Sequence, residues 1–115
     1  IVTAPTVETP TFVHEEDGVI GMIVDDSGKI VGREHYKDHV ASDGSKQRVF
    51  ISTEVDEEYR GKGLAGKLVK HSLDEAIGEG YRFVAVCPYV RRWLNKHDAP
   101  RYKEARDTAR PEHFQ

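Results

Sequence analysis

The first half of the chain alternates short apolar runs with polar turn signals. Runs at 11–15, 19–25 and 30–36 are separated by Asp-Gly and Asp-Ser-Gly, which are typical of tight turns. A fourth run, 48–55, is rich in β-branched and aromatic residues and indicates a central strand. The pattern predicts four strands, the first three as an antiparallel meander. It predicts a polar connection without regular structure at 37–47.

The second half of the chain changes to a helical period. Apolar residues recur three and four positions apart over 62–78, while lysines and carboxylates occupy the opposite face. This predicts an amphipathic helix. A continuous apolar run at 82–87 predicts a buried strand, and Pro88 suits the first turn of a second helix at 88–97.

These elements, in the order β-β-β-β-α-β-α, predict an α+β domain with a mostly antiparallel sheet. The strand at 48–55, the helix at 62–78 and the strand at 82–87 form one right-handed βαβ crossover. Residues 1–10, with two prolines, predict an extended N-terminal arm, and residues 11–115 a single domain. The last fifteen residues show no pattern that assigns them to an element.

Composition narrows the class of protein. With 115 residues, 37% hydrophobic and 32% charged, the chain has the make-up of one ordinary globular domain. No apolar run approaches the ~20 residues that span a bilayer. The beginning of the sequence lacks the basic and apolar regions of a signal peptide, and a single cysteine excludes an internal disulfide. We therefore expect a cytoplasmic protein without a metal site.

The net charge of −3 gives no indication of a nucleic-acid or membrane partner. The distribution of the charges along the chain is more informative. Residues 1–58 carry thirteen acidic and five basic side chains, whereas residues 59–115 carry seven acidic and twelve basic ones. This asymmetry suits an anionic cofactor on the second half and a cationic substrate near the first.

The turn "RGKGLAGK" at 60–67 matches three phosphate-binding patterns. The dinucleotide fingerprint does not fit, because five residues separate the strand from the first glycine. The next strand also ends in Cys87 and a proline, without a carboxylate to hold ribose. As a Walker A loop it has Leu68 where a Ser or Thr should ligate Mg²⁺. The third pattern, R-x-x-G-x-A, is typical of acyl-coenzyme A binding and fits the position between a strand and a helix.

Such a turn presents backbone N–H groups at a helix N-terminus to a pyrophosphate. Gly61 and Gly63 allow close approach, and Arg60 and Lys62 add positive charge. A glycine-rich helix start without a ligand is the simpler alternative. Because two glycines in a first turn cost about 1 kcal/mol each relative to alanine, a ligand site is the favoured interpretation.

Three further motifs accompany this turn along the chain: T-E-V at 53–55, C-P-Y-V at 87–90, and the pair His97 and Tyr102. With them the sequence resembles the GNAT superfamily of N-acetyltransferases, and in particular its small single-domain members, over about residues 11–102. The chain departs from the family pattern at Ser52, where a histidine is usual, and in "HDAPRY", where His-Pro-Glu-Tyr is usual.

The resemblance implies the GNAT fold, with a V-shaped splay between the central strands, and acetyl-CoA as co-substrate. It implies that the backbone N–H of Val55 contacts the thioester carbonyl and that the N–H groups of 61–65 hold the pyrophosphate. The cofactor-binding residues would then be Val55, Arg60, Gly61, Lys62, Gly63, Leu64, Ala65 and Cys87.

Five side chains are candidates for the chemistry of transfer. Glu54 could relay a proton through water or form a structural ion pair. Cys87 could carry an acetyl group or polarise the thioester, or it could be a small buried residue that closes a strand. Tyr89, His97 and Tyr102 are possible acids toward the departing thiolate.

The expected function is direct acetyl transfer from acetyl-CoA to an amine, either on a small molecule or on a protein, by a monomer or a homodimer. The alternative is an acyl-CoA-binding or sensing module with little turnover. The acceptor cannot be deduced from these residues, because loops around a common core determine it.

Overall fold

A six-stranded sheet organises residues 9–114, the part of the chain that the computed structural model describes. The strands lie side by side in chain order, β1 to β4 are antiparallel, and β5 and β6 run parallel to β4. Their bounds are β1 Thr11–Glu16, β2 Val19–Ile23, β3 Ile30–Val40, β4 Lys46–Val55, β5 Arg82–Ala85 and β6 Arg106–Asp107. The predicted α+β class is confirmed.

Three helices occupy the two parallel connections. α1 (Leu64–Gly78) joins β4 to β5, and α2 (Pro88–Lys96) with α3 (Pro100–Ala105) joins β5 to β6. Both connections link neighbouring parallel strands, and the right-handed rule then places these helices on the same face of the sheet. They share one apolar core there, which includes Phe50, Leu73, Phe83, Val90 and Trp93.

The prediction of an irregular connection at 37–47 was wrong. β3 continues to Val40 and pairs with β4 as far as Lys46, and a short turn closes the hairpin. Gly44 adopts the left-handed φ of +87° that the turn requires. The polar residues pair with each other across the strands, as Asp38 does with Arg48 at 2.9 Å, so no apolar alternation marks this part of the hairpin.

Other boundaries also differ from the predictions. α1 begins at Leu64 rather than at 62, because Gly63 has a left-handed φ of +73° and caps the helix. The unassigned C-terminal residues form most of α3, the short strand β6 and a 3₁₀ turn at Pro111–Phe114. The first eight residues of the predicted arm lie outside the described part of the chain.

The central strands diverge where β4 is bulged. β4 and β5 pair from Gln47 to Phe50, and the N–H groups of Val86 and Cys87 both donate to the Phe50 carbonyl. Opposite β3, the register jumps at Ile51, which is the extra residue of a β-bulge. Residues 51–55 therefore have no partner on β5, and the predicted V-shaped splay is confirmed.

A close approach between sheet and helix depends on Gly32 of β3. A Cβ built there would lie 2.9 Å from Met22 Cε, 3.2 Å from the Glu54 carbonyl oxygen and 3.5 Å from Leu68 Cδ2. The backbone carbonyl cannot move aside without disturbing β4, so the position requires glycine. This contact seats α1 on the sheet beside the open end of the V.

We predict that Gly32→Ala lowers the free energy of unfolding by about 1–3 kcal/mol, because it overpacks this contact. Gly78→Ala is the matched control, since no atom lies within 4 Å of a Cβ at that position. The control should be neutral or stabilising by about 0.5–1 kcal/mol. Urea titrations of both variants provide the measurement, and equal stability of Gly32→Ala and wild type would contradict the prediction.

Candidate active site

A cavity of about 470 Å³ opens between the end of β4 and the start of α1, at the mouth of the V. We call it the strand cavity. Its walls combine the T-E-V segment, the glycine-rich turn and one tyrosine of α2. The lining residues are Thr53, Glu54, Val55, Tyr59, Arg60, Gly61, Gly63, Leu64, Ala65 and Tyr89.

The glycine-rich turn leaves the N-terminus of α1 open to this cavity. Gly61 and Gly63 have φ values of +79° and +73°, and no atom of the described residues lies within 4 Å of a Cβ built on either. Within the same part of the chain, no side chain caps α1 at Gly63. The first N–H groups of the helix therefore keep their capacity to bind an anion, which the helix dipole also favours.

A second space, the helix groove, runs between α1 and α2 with a volume of about 590 Å³. It joins the strand cavity at Gly63 and Tyr89, which line both. Gly66 permits the two helices to approach, since a Cβ there would lie 3.4 Å from Trp93 Nε1. The remaining lining is strongly basic or aromatic: Lys67, Lys70, Arg92, Trp93, Lys96 and His97.

The basic residues of the groove are not neutralised equally. Lys70 pairs with Asp74 at 2.7 Å, whereas Lys67 and Lys96 form no ion pair within residues 9–114. The sequence does contain a signal for the α2 side of the groove, because Tyr89, Arg92 and Lys96 recur at three- and four-residue spacing and so share one helix face. The groove was not anticipated, because each lysine by itself fits an exposed helix surface.

The edge of β4 presents backbone groups to the strand cavity. Asp56 donates its N–H to the Val31 carbonyl on β3 at 2.8 Å. Successive N–H groups of a strand point in opposite directions, so the N–H of Val55 points away from β3, toward the side that β5 has left. The Val55 carbonyl accepts a hydrogen bond from Arg60 Nε at 3.3 Å.

The predicted catalytic side chains do not all meet. Glu54 and Tyr89 line the strand cavity, and Glu54 Oε2 lies 3.5 Å from His35 Nε2. His97 lines the helix groove instead, where it stacks on Trp93 with ring centroids 4.0 Å apart and donates from Nδ1 to the Trp93 carbonyl.

Three further predicted residues line neither cavity. Cys87 is buried at the start of α2, with Sγ 3.5 Å from the Thr53 hydroxyl oxygen. Tyr102 is buried and donates its hydroxyl to Asp74 at 2.9 Å. Lys62 is exposed in the glycine-rich turn.

Glu34 is a buried carboxyl that the sequence analysis missed. It is 0% exposed, and its Oε1 lies 2.5 Å from the Thr53 hydroxyl oxygen. Burial raises the pKa of Glu34 to about 8, against the lowering effect of the Thr53 hydrogen bond. Oε2 has no hydrogen-bond partner among residues 9–114. In the sequence, Glu34 stands between Arg33 and His35, so it resembles an exposed polar position of a strand.

The mixed sheet, the splay and the open helix N-terminus together define an acyl-CoA N-acyltransferase fold. The sequence profile of GCN5-related N-acetyltransferases matches residues 21–105, well over half of the chain. The chain therefore belongs to the GCN5-related N-acetyltransferase family, and the predicted resemblance is confirmed.

The individual proteins that resemble this chain match it over only part of their length. The chain is 36% identical over 52 residues to the Bos taurus protein NATD1, a match that spans 45% of this chain and 46% of that protein. The fold resembles a ribosomal-protein-alanine N-acetyltransferase from Brucella melitensis, with a TM-score of 0.55 and 23% identity over 70% of this chain and 63% of that one. It also resembles an aminoglycoside acetyltransferase from a soil metagenome, with a TM-score of 0.56 and 14% identity over 70% and 56% of the two chains.

Helices that could cross a membrane are absent from the described residues, because none is both long and apolar enough.

The protonation of Glu34 predicts a pH dependence of stability. Between pH 4.5, its ordinary pKa, and about pH 8, the folded protein holds a proton that the unfolded chain has released. This group alone therefore lowers the free energy of unfolding by about 1.4 kcal/mol for each pH unit of increase in that interval. Its contribution is fully present below pH 4.5 and is lost as the pH rises to about 8.

Urea titrations over this pH range should show the slope in wild type and its loss in Glu34→Gln, which cannot ionise. Ser72→Ala is the control, because Ser72 is also buried and donates to the Leu68 carbonyl outside the site. It should keep the wild-type slope. Parallel pH curves for wild type and Glu34→Gln would show that Glu34 is ionised in the folded protein.

Proposed function

We propose that this chain is an acetyl-CoA-dependent N-acetyltransferase that moves the acetyl group directly to an amine. The observation that carries the proposal is the junction of the two cavities at the uncapped N-terminus of α1. There the left-handed Gly61 and Gly63 leave open space in front of helix N–H groups. Family membership supports the same reaction class.

The residues present fit coenzyme A along its length. The N–H groups of the turn and of the first turn of α1 would hold the pyrophosphate, with Arg60 and Lys62 adding positive charge. Lys67, Arg92 and Lys96 of the helix groove would face the phosphate on the ribose. The thiol arm would follow residues 51–55 of β4, whose outer backbone groups have no partner on β5. When bound, acetyl-CoA supplies an activated acetyl group as a thioester.

Three residues of the strand cavity then have proposed roles in the transfer. The N–H of Val55 would donate to the carbonyl oxygen of the acetyl group, where negative charge develops during attack. Tyr89, at the junction of the two cavities, would bring its hydroxyl to the same region. Glu54, with 65% of its side chain exposed, could accept the proton of an ammonium acceptor through water.

The acceptor is proposed to be cationic before it reacts. Glu54 lines the strand cavity, and three further carboxylates, Asp56, Glu57 and Glu58, stand in the sequence between lining segments. Among the described residues, Asp56 and Glu58 pair with Lys29. Such a surface attracts an ammonium group, whether it belongs to a small molecule or to a protein. Binding of acetyl-CoA without transfer to any amine would instead favour the acyl-CoA-binding module.

We predict that acetyl-CoA raises the melting temperature of wild type and that Gly63→Asp abolishes this shift. A ligand that binds only the folded state stabilises it by mass action, and a carboxylate in the turn would repel the pyrophosphate. Gly44→Asp is the matched control, with a φ of +87° and no atom within 4 Å of its Cβ, but at the opposite end of β4. It should melt at a lower temperature yet keep the shift. An unchanged shift in Gly63→Asp would remove the turn from the binding site.

We predict that Lys67→Gln weakens binding of coenzyme A by about threefold and leaves binding of dephospho-coenzyme A unchanged. Lys67 has no ion pair within residues 9–114, so its charge is available to the ribose phosphate; an exposed ion pair contributes up to about 1 kcal/mol. Calorimetric titrations at low salt provide the measurement. Lys103→Gln, on α3 outside the groove, should change neither affinity. Equal losses for both ligands in Lys67→Gln would place the ribose phosphate elsewhere.

A further inference from the structure

Glu34 is a buried carboxyl next to the strand cavity, and the roles proposed above do not involve it. Glu34 projects from β3 toward the core beneath α1 and stands in register with Thr53 on β4. Its Oε1 is 2.5 Å from the Thr53 hydroxyl oxygen, and Thr53 lines the strand cavity. The pair therefore connects a group that water does not reach with the space where the transfer is proposed to occur.

Thr53 Oγ1 donates to Oε1 when Glu34 is ionised, and this hydrogen bond can reverse its direction when Oε1 carries the proton. Glu34 is protonated at neutral pH, because burial raises its pKa to about 8. A proton on Oε1 can be donated to Thr53, whereas one on Oε2 finds no acceptor among residues 9–114. When the Thr53 oxygen accepts this proton, its own hydrogen is free for a third atom. Cys87 Sγ lies 3.5 Å from that oxygen, so the hydroxyl already contacts a sulfur.

Among the described residues, no charged group competes for the proton. The register partners of Glu34 are Ile20 on β2 and Thr53 on β4, and Ile20 belongs to an apolar cluster with Leu64 and Leu68 of α1. The titratable neighbours are Tyr36 on the same face of β3 and Cys87 at the start of α2. Burial and the Thr53 hydrogen bond are the influences on the pKa of Glu34. Among the described residues, Thr53 is thus the side chain that is hydrogen-bonded to Glu34.

We infer that Glu34 and Thr53 form a proton relay to the sulfur of coenzyme A, an inference that rests on the acetyl transfer proposed above. In this relay Thr53 is the catalytic residue, because it lines the strand cavity, and Glu34 is the positioning residue behind it. The relay protonates the thiolate that leaves when the acetyl group is transferred.

The step balances as follows in atoms and electrons. The amine nitrogen bonds to the acetyl carbon, the carbon–sulfur bond breaks, and its electron pair passes to sulfur. The Thr53 proton moves to sulfur, the Glu34 proton moves to the Thr53 oxygen, and the proton that the amine releases goes to water. After the thiol leaves, Glu34 regains a proton from water through Thr53.

The acidity of the buried group suits this task. A general acid is most effective when its pKa is near that of the group it protonates and near the working pH, and an alkyl thiol has a pKa of about 8.5. Glu34, at about 8, lies close to that value. A glutamate with an ordinary pKa would hold no proton at neutral pH.

The direct test observes Glu34 itself. In protein with isotope-labelled glutamate carboxyls, the Glu34 signal is assigned by its loss in Glu34→Gln and is titrated by NMR. We expect a midpoint near pH 8, and about one pH unit higher with saturating coenzyme A than with saturating desulfo-coenzyme A. The reason is that the hydroxyl that stabilises the ionised carboxylate now donates to sulfur. Equal midpoints with the two ligands would overturn the relay.

Variants separate the relay from other effects. The difference between the two ligands should vanish in Thr53→Val, persist in Thr53→Ser, and persist in the buried-hydroxyl control Ser72→Ala. It should also persist in Cys87→Ala, and its loss there would assign the hydroxyl to Cys87 and overturn the proposal. If coenzyme A and acetyl-CoA do not raise the melting temperature of wild type, the proposed function itself fails. If they bind but Glu34 does not respond, only the relay fails.

A kinetic test follows the leaving group. Hydroxylamine is uncharged at neutral pH, so its acetylation needs no base to deprotonate the acceptor. We expect Glu34→Gln and Thr53→Val to lower kcat by about tenfold to a hundredfold with little change in KM for acetyl-CoA, and Thr53→Ser to restore most of it. The kcat of wild type should fall as the pH rises above about 8, and that of Glu34→Gln should not. Superimposable pH profiles would overturn the relay alone, whereas binding of acetyl-CoA without any acetylation would overturn the proposed transfer on which the relay rests.

Discussion

The loss of pairing between β4 and β5 after Phe50 is the constraint on which the rest of the structure depends. A strand in the middle of a sheet ordinarily has both backbone edges hydrogen-bonded, and unpaired buried groups cost free energy. Here the unpaired end of β4 lines a cavity at residues 53–55, and Arg60 satisfies the Val55 carbonyl. Because the strands separate while α1 stays seated on β3 and β4, the splay creates both the slot and the open helix N-terminus at its mouth.

The bulge at Ile51 has a second consequence for the site. Side chains of a regular strand alternate between the two faces, so Phe50 and Thr53, three positions apart, should face opposite ways. The extra residue reverses the alternation, and both face the helices: Phe50 packs against α1, and Thr53 bonds to Glu34. The same shift sends Glu54 to the face that carries His35. The buried carboxyl of Glu34 and the exposed carboxylate of Glu54 thus lie on opposite faces of two neighbouring strands.

These facts explain how much of the molecule could be predicted from the sequence. The meander, α1 and the glycine-rich turn have local signals, because turn residues and helical periodicity act over a few positions. The hairpin at 37–47 and the strand β6 lack such signals, because ion pairs and distant partners stabilise them. Glu34 could not be found, because its burial depends on the sheet register and on a bulge in the neighbouring strand. The residues of the glycine-rich turn were predictable, whereas the proposed proton relay depends on tertiary contacts.

The position of Glu34 in the core also bears on why a titratable residue is present where an apolar one would be more stable. An apolar side chain there would extend the cluster of Ile20, Met22 and Leu68. A carboxyl with one oxygen that has no hydrogen-bond partner among residues 9–114 instead costs free energy when it is buried. Proteins are marginally stable, so a loss of this kind in a small domain requires a compensating role. Structural satisfaction of Thr53 alone does not require a titratable group, because a neutral amide would serve. A group that holds a proton at neutral pH, next to the open edge of β4, meets a chemical requirement that packing does not impose.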